Sequence, residues 1–297
     1  MKLKITKWKL AALLSAASMA ASTTQATTTF TFTGGNLNSA ANWLDEDGNT
    51  GAFPAAGDIG VVNVDSTFPD TPNAAGLSPG GDIFFGGGTV LTAGIDVVAS
   101  VPTSLVFNDV TLNVTDDIFA GTGNFIFNAG SVSNVNDDFE ANGIGGTITV
   151  NGGTHTVGLN SPNVGNFGAQ NGATLNFLGG TVTADVFRTT ENGPGTAFGT
   201  INVGGDATLT ADSIDLASAG VFDFSSAWTG SLTIDGFDAT AWEDLVIAST
   251  TLDGAAVDTT VFADNFEVTG STLSLVPEPS SALLGSFGIL VLLRRRR

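Results

Sequence analysis

Phe107-Asn-Asp-Val-Thr111, Phe127-Asn-Ala-Gly-Ser131, Val150-Asn-Gly-Gly-Thr154 and Phe177-Leu-Gly-Gly-Thr181 repeat one unit. An aromatic residue or valine leads into a glycine- or asparagine-containing turn, and a hydroxyl residue then begins a strand. Phe85-Gly-Gly-Gly-Thr89 precedes these copies, and Val203-Gly-Gly-Asp-Ala-Thr208 follows with one residue more. Successive hydroxyl positions lie 22, 20, 23, 27 and 27 residues apart. Coils of that length without helical periodicity are what a parallel β-solenoid produces, each turn burying its apolar face against its neighbours. The 39 glycines, with abundant Thr, Asn and Val, fit many short strands joined by tight turns. The expected fold class is therefore all-β. A jelly-roll sandwich is the competing fold, in which this period is coincidental.

Alternation within the unit sets an expected inside and outside. Val90, Leu112, Val132, His155, Val182 and Leu209 stand one residue past the hydroxyl, and five of these six are aliphatic. Period-two geometry assigns that slot inward. The expected outward flanks are Thr111/Asn113, Ser131/Ser133, Thr154/Thr156, Thr181/Thr183 and Thr208/Thr210.

The repeats occupy residues 81–220. Ahead of them, 27–80 reads as an N-terminal β cap and loop, with an alternating strand at Thr27–Thr33. Asn42-Trp43 and Pro54-Ala55-Ala56-Gly57-Asp58, before a strand at Ile59–Val64, resemble the opening of exported bacterial β-helix proteins. That likeness implies a right-handed coil. Residues 221–275 read as a C-terminal β cap, because an open solenoid end would template aggregation. Strands are expected there at Val221–Phe224, Ser231–Ile234, Leu245–Ile247, Val261–Phe262 and Phe266–Leu275, with one helical turn at Ala241–Leu245.

Charge bounds the function. Of nine Lys and Arg, four are Lys2, Lys4, Lys7 and Lys9, and four are Arg294, Arg295, Arg296 and Arg297. Thr27–Leu275 thus holds a single cation, Arg188, against twenty-eight carboxylates. Nothing is present to neutralise phosphates, so nucleic acid and anionic membrane surfaces are excluded as partners. So acidic a body needs dispersed charge or bound divalent cations, calcium being the natural extracellular choice. The chain has no cysteine, which removes disulfides and thiol chemistry.

Both ends carry addresses. The four N-terminal lysines, the apolar run Leu10–Ala17 and the small residues after it form a secretory signal peptide over 1–26, cut after Ala20 or Ala26. The Sec translocon and signal peptidase are the expected partners. At the other end Pro277-Glu278-Pro279, the apolar run Ala282–Leu293 and the four arginines stand in that order. Together, over 276–297, they resemble the PEP-CTERM sorting tail of bacterial surface and matrix proteins. The resemblance implies recognition and release by an exosortase at the inner membrane. Physically, twelve apolar residues reach roughly 18 Å as a helix against a core of about 30 Å, which suits transient insertion. The arginines hold that end in the cytoplasm. A plain tail anchor is the competing reading.

Several side chains invite chemistry. His155, the single histidine, stands in an otherwise aliphatic slot, which favours a packed, hydrogen-bonded neutral imidazole over a catalytic one. Arg188 reads as a surface partner of Glu191, and a lone cation argues against a polysaccharide lyase. Asp116-Asp117 and Asp137-Asp138, with Glu140, lie 21 residues apart, about one coil. Stacked, they could bind calcium or serve as a glycosidase acid and nucleophile, and solvated turns are the plainer reading. Asp45-x-Asp47-Gly48-Asn49 opens like a calcium loop but has Thr50 at its sixth position and Ala56 at its twelfth. Asn108, Asn128 and Asn151 read as an internal asparagine ladder. The outward Thr154, Thr156, Thr181, Thr183, Thr208 and Thr210 form a candidate ligand face for glycan or ice, although uneven coil lengths argue against a flat lattice. The expectation is a non-enzymatic structural or adhesive protein of the cell surface or extracellular matrix, associated with extracellular polysaccharide.

Overall fold

The computed structural model describes residues 28–37, 39–52, 54, 58–67, 82–93, 97–99, 104–158, 164–189, 199–216 and 221–276. The expected signal helix and the short C-terminal hydrophobic helix lie outside them. The chain forms a β-solenoid of about six turns. Among the described residues no helix is long and apolar enough to cross a membrane.

Each full turn contributes to three parallel ladders. The first sheet includes Asp82–Phe85, Ser104–Phe107, Asn124–Phe127, residues 147–150 and 174–177, Thr200–Val203 and Val221–Phe224. The second includes Val90–Ala93, Thr111–Val114, Val132–Val135, residues 154–157, 181–184 and 208–211, and Ser231–Ile234. The third includes Val97–Ala99, Ile118–Ala120, Phe139–Asn142, Asn166–Gln170 and residues 186–188 and 213–215. Parallel pairing begins at Thr29 with Ile59 and continues to Leu252, past both ends of the 81–220 segment.

The aromatic position of the repeat is the column that fills the core. Phe85, Phe107, Phe127, Val150, Phe177, Val203 and Phe224 stand in register, all essentially inaccessible. Phe107 stacks on Phe85 at 4.9 Å and on Phe127 at 4.7 Å, with rings within 7° of parallel. Stacked rings and area burial together make this column the main apolar spine. The chain then turns sharply into the second sheet. Gly180 takes φ +82 there, and a Cβ would lie 2.6 Å from the Gly153 carbonyl oxygen, so only glycine fits.

That corner corrects two of the six inward assignments. Val90 and Val132 pair with Thr111 and face outward, Val90 being 41% exposed, while Leu91 and Ser133 pair with Leu112 and face inward. Thr89 and Ser131 are buried at the corner itself and not in the strand, and Ser131 Oγ donates to the Phe107 carbonyl at 2.9 Å. The outward pair in that coil is Val132/Asn134, not Ser131/Ser133. These two corners hold one residue more than those after Phe107 and Phe177, and one residue reverses every side chain that follows. Leu112, His155, Val182 and Leu209 do face inward.

Both ends are closed by antiparallel strands. Thr29–Phe32 pairs with Trp43–Leu44, and Trp43 is fully buried with Nε1 donating to the Leu37 carbonyl. At the other end Ser231–Ile234 pairs with Thr272–Leu275, one arm of a hairpin with Phe266–Thr269. The C-terminal cap is not wholly β. Helix α1, Ala239–Ser249, replaces the single turn at 241–245 and the strand at 245–247. Helix α2, Thr259–Asn265, replaces the strand at 261–262. The Asp238 carboxylate accepts from Ala241 N, and that of Asp258 from Thr260 N and Val261 N, so each helix starts on an aspartate cap.

Candidate functional site

The two aspartate pairs do stack on adjacent coils, but they divide between two environments. Oxygens of Asp116, Asp117 and Asp137 all come within 4.8 Å of one another at the corner before the third sheet. Within that corner the Asp117 carboxylate accepts from Asp138 N at 2.8 Å, and Ile118 N donates to the Asp138 carbonyl. Three carboxylates at this separation have the donor set and hardness for calcium. The Asp138 side chain instead turns to Asn166, accepting from its backbone N at 2.9 Å and from Nδ2 at 2.6 Å. Burial pushes its carboxyl up, against the Asn166 hydrogen bonds and Arg188.

Asp138 belongs with a buried polar cluster on the third sheet that sequence reasoning missed. Glu140, Gly168 and Arg188 are successive rungs. Arg188 Nε donates to Glu140 Oε1 at 2.9 Å, its NH2 stands 3.9 Å from Asp138, and Gln170 Nε2 donates to Glu140 Oε2. Glu140 is 1% exposed. Burial, then the neighbouring Asp138 charge, push its carboxyl up to about 8 despite the pull of Arg188. Gly168 is what lets the rungs close, since a Cβ there would collide with the Arg188 carbonyl oxygen. Arg188 is therefore half-buried and tied to a residue 48 positions earlier, not displayed on the surface. Glu191 lies outside the described residues. The cluster spans the long, irregular coil between 147 and 174, where no repeat spacing could have aligned these residues.

His155 is fully buried, Nε2 donating to the Gly152 carbonyl at 3.0 Å and Nδ1 accepting from Ser133 Oγ at 2.7 Å. Its ring stands edge-on to Phe127 at 5.2 Å and to Phe139 at 5.9 Å. Burial pushes the imidazole down to about 4, so it is neutral at physiological pH. The packed, hydrogen-bonded reading is what the structure contains.

Asparagines stack as expected but at the surface corner, not inside. Asn128 Nδ2 donates to Asn108 Oδ1 at 2.7 Å, and Asn151 Nδ2 to Asn128 Oδ1 at 2.9 Å. A parallel pair, Asn134 to Asn113 at 2.8 Å, lies on the second sheet. The Asp45 loop is closed on itself: the carboxylate accepts from Asn49 Nδ2, Asn49 N and Asp47 N, which holds it below the usual carboxylate range.

The threonine face is real and in register. Thr154, Thr181 and Thr208 form one rank and Thr156, Thr183 and Thr210 the other, all turned away from the core. Thr111, Val132 and Ser231 extend the first rank, and Asn113, Asn134 and Thr233 the second. Most of the added coil length lies between the end of the second sheet and the start of the next first-sheet strand, 157 to 174 and 184 to 200 against 114 to 124 and 135 to 147. Pro277, Glu278, Pro279 and the four terminal arginines lie outside the described residues. Comparison of the chain with protein-family models, curated proteins and solved structures finds no match.

Proposed function

We propose that this chain is an exported, exosortase-sorted structural or adhesive protein of the cell surface or extracellular matrix, without enzymatic activity. It leaves through the Sec translocon, loses residues 1–26 to signal peptidase and reaches the exosortase through its Pro277-Glu278-Pro279 tail. The body is then a stiff right-handed solenoid presented outside the cell. One observation carries this reading: the side chains best suited to acid–base work, Asp138, Glu140 and Arg188, are tied to one another and to Asn166 and Gln170 across coils. A carboxyl that is 1% exposed and held by an arginine and an amide braces a sheet; it does not present itself to substrate. Calcium at Asp116, Asp117 and Asp137 fits the same reading as a brace between corners. Fractionation of the native host with intact mass tests the sorting: a surface or matrix species lacking both ends is expected, and an inner-membrane species retaining the tail refutes it. Release of reducing ends from a polysaccharide by the purified protein, lost in Asp137→Asn, would refute the non-enzymatic part.

A second reading is ice binding by the threonine face. The register of the two ranks across three consecutive coils favours it. Thermal hysteresis by the purified chain is the measurement, and none at all removes the idea.

A further inference from the structure

The chain carries twenty-nine acidic residues and a formal net charge of −20, yet the two outward ranks of its second sheet contain no ionisable group over six coils, from Thr111/Asn113 to Ser231/Thr233. Acids stand instead at the corners on either side, at Asp109 and Asp206 on one and at Asp116, Asp137, Asp185, Asp212 and Asp235 on the other. A face kept clear of charge in so acidic a body selects against three kinds of partner. Anionic polymers and a second copy of this chain are repelled by the corners. A cationic partner is drawn to the corners, away from the face. What remains is an uncharged partner rich in groups that both donate and accept hydrogen bonds, which is what a threonine hydroxyl matches, beside a methyl that covers C–H surface.

The face also leads somewhere. Leu273 pairs antiparallel with Leu232, and Thr272 with Thr233, which places Ser274 beside Ser231 on the same side. The first rank therefore continues onto Ser274, and Ser274 lines a cleft of about 490 Å³ with Ser226, Thr229 and Glu267 above the buried Trp228. A cleft of this size lies within the usual range for small-ligand sites.

We infer that the second sheet and this cleft form one docking track for a neutral, extended polysaccharide lying along the solenoid axis. From Thr111 to Ser231 the track runs about 24 Å at the spacing of neighbouring strands. Its hydroxyls sit on β-branched side chains fixed to a stiff sheet, so little freedom is lost when a chain docks. The inference rests on the extracellular placement proposed above and names the partner met there.

The test is native affinity electrophoresis of the full chain, solubilised in mild detergent, through gels containing hydroxyethylcellulose or carboxymethylcellulose. These share a backbone and differ in charge. Retardation by the neutral polymer and not by the anionic one is expected. Thr183→Asp should raise the polymer concentration needed for half-retardation at least tenfold, whereas Thr200→Asp on the first sheet should leave it unchanged. If Thr183→Asp fails to fold by circular dichroism, Thr183→Tyr, which suits a strand, replaces it with the same expected loss. Absence of retardation by the neutral polymer, retardation indifferent to both Thr183 variants, or stronger retardation by carboxymethylcellulose overturns the inference. A surface-located protein that is not retarded defeats only this inference; a retarded protein held in the inner membrane defeats only the sorting.

Discussion

Arg188 donates through Nε to Glu140 at 2.9 Å across an intervening rung that is glycine, joining residues 48 apart in sequence. The sole cation of the body thus sits between two raised carboxyls, Glu140 and Asp138, and closes three coils of the third sheet together. Removing it leaves Glu140 and Gln170 facing each other without a charge partner. Arg188→Met is expected to lower stability by about 1–3 kcal/mol. Adding Glu140→Gln should restore part of that loss, a coupling that chemical denaturation of the four-variant cycle measures.

The same carboxyl sets an alkaline trend. In the folded protein Glu140 holds its proton up to about pH 8, while in the unfolded chain it ionises near the ordinary carboxylate value of 4.5. The folded state therefore binds more protons between those limits, and stability falls as pH rises through that window, with a slope below about 1.4 kcal/mol per unit. Above pH 8 this contribution levels off. Glu140→Gln should flatten the melting-temperature profile between about pH 6.5 and 8 and steepen the loss toward acid below 6.5, where Glu140 and His155 oppose each other.

That loss toward acid belongs to His155. Its folded value of about 4 lies below the ordinary 6.5, so the unfolded chain takes up a proton that the folded chain refuses as pH falls between them. The imidazole's contribution to stability is lost over that window, opposed above about pH 4.5 by Glu140. His155→Leu should abolish the trend but strand the Ser133 hydroxyl and the Gly152 carbonyl, at a cost of about 1–3 kcal/mol. The double variant Ser133→Ala/His155→Leu should be more stable than His155→Leu alone, which equilibrium unfolding near pH 7 checks.

Calcium is expected to act at the acidic corner. With Asp116, Asp117 and Asp137 oxygens within 4.8 Å, bound calcium should raise the melting temperature by a few degrees, and chelator should reverse the rise. Asp137→Asn should remove most of the response. An unchanged response in Asp137→Asn, or no response in the native chain, would rule out a calcium brace at this corner.

The repeat was legible because its aromatic column needs no long-range information: Phe107, Phe127 and Phe177 announce the spine by recurring just before a turn. The parity of the strands was legible only where the corner has a constant length. After Phe85 and Phe127 an extra residue, absorbed as buried Thr89 and Ser131, reversed Val90 and Val132. The two cap helices left a signal in Asp238 and Asp258, each an aspartate just before the segment that caps on it, but β-branched residues at Val246, Ile247 and Val261 read as strand. Packing of Trp242 and Val246 onto the end of the solenoid overrode that preference.

By itself the sequence determined that the chain coils and that three consecutive coils present threonine outward. These follow from local periodicity, and a parallel stack repeats the local pattern coil after coil. Only the tertiary structure decided which acids meet. Asp138 joins Asn166 and Arg188, whereas Asp137 joins Asp116 and Asp117. Neighbours across a solenoid are set by how many residues each corner consumes, and that number is a property of packing, which no single coil encodes.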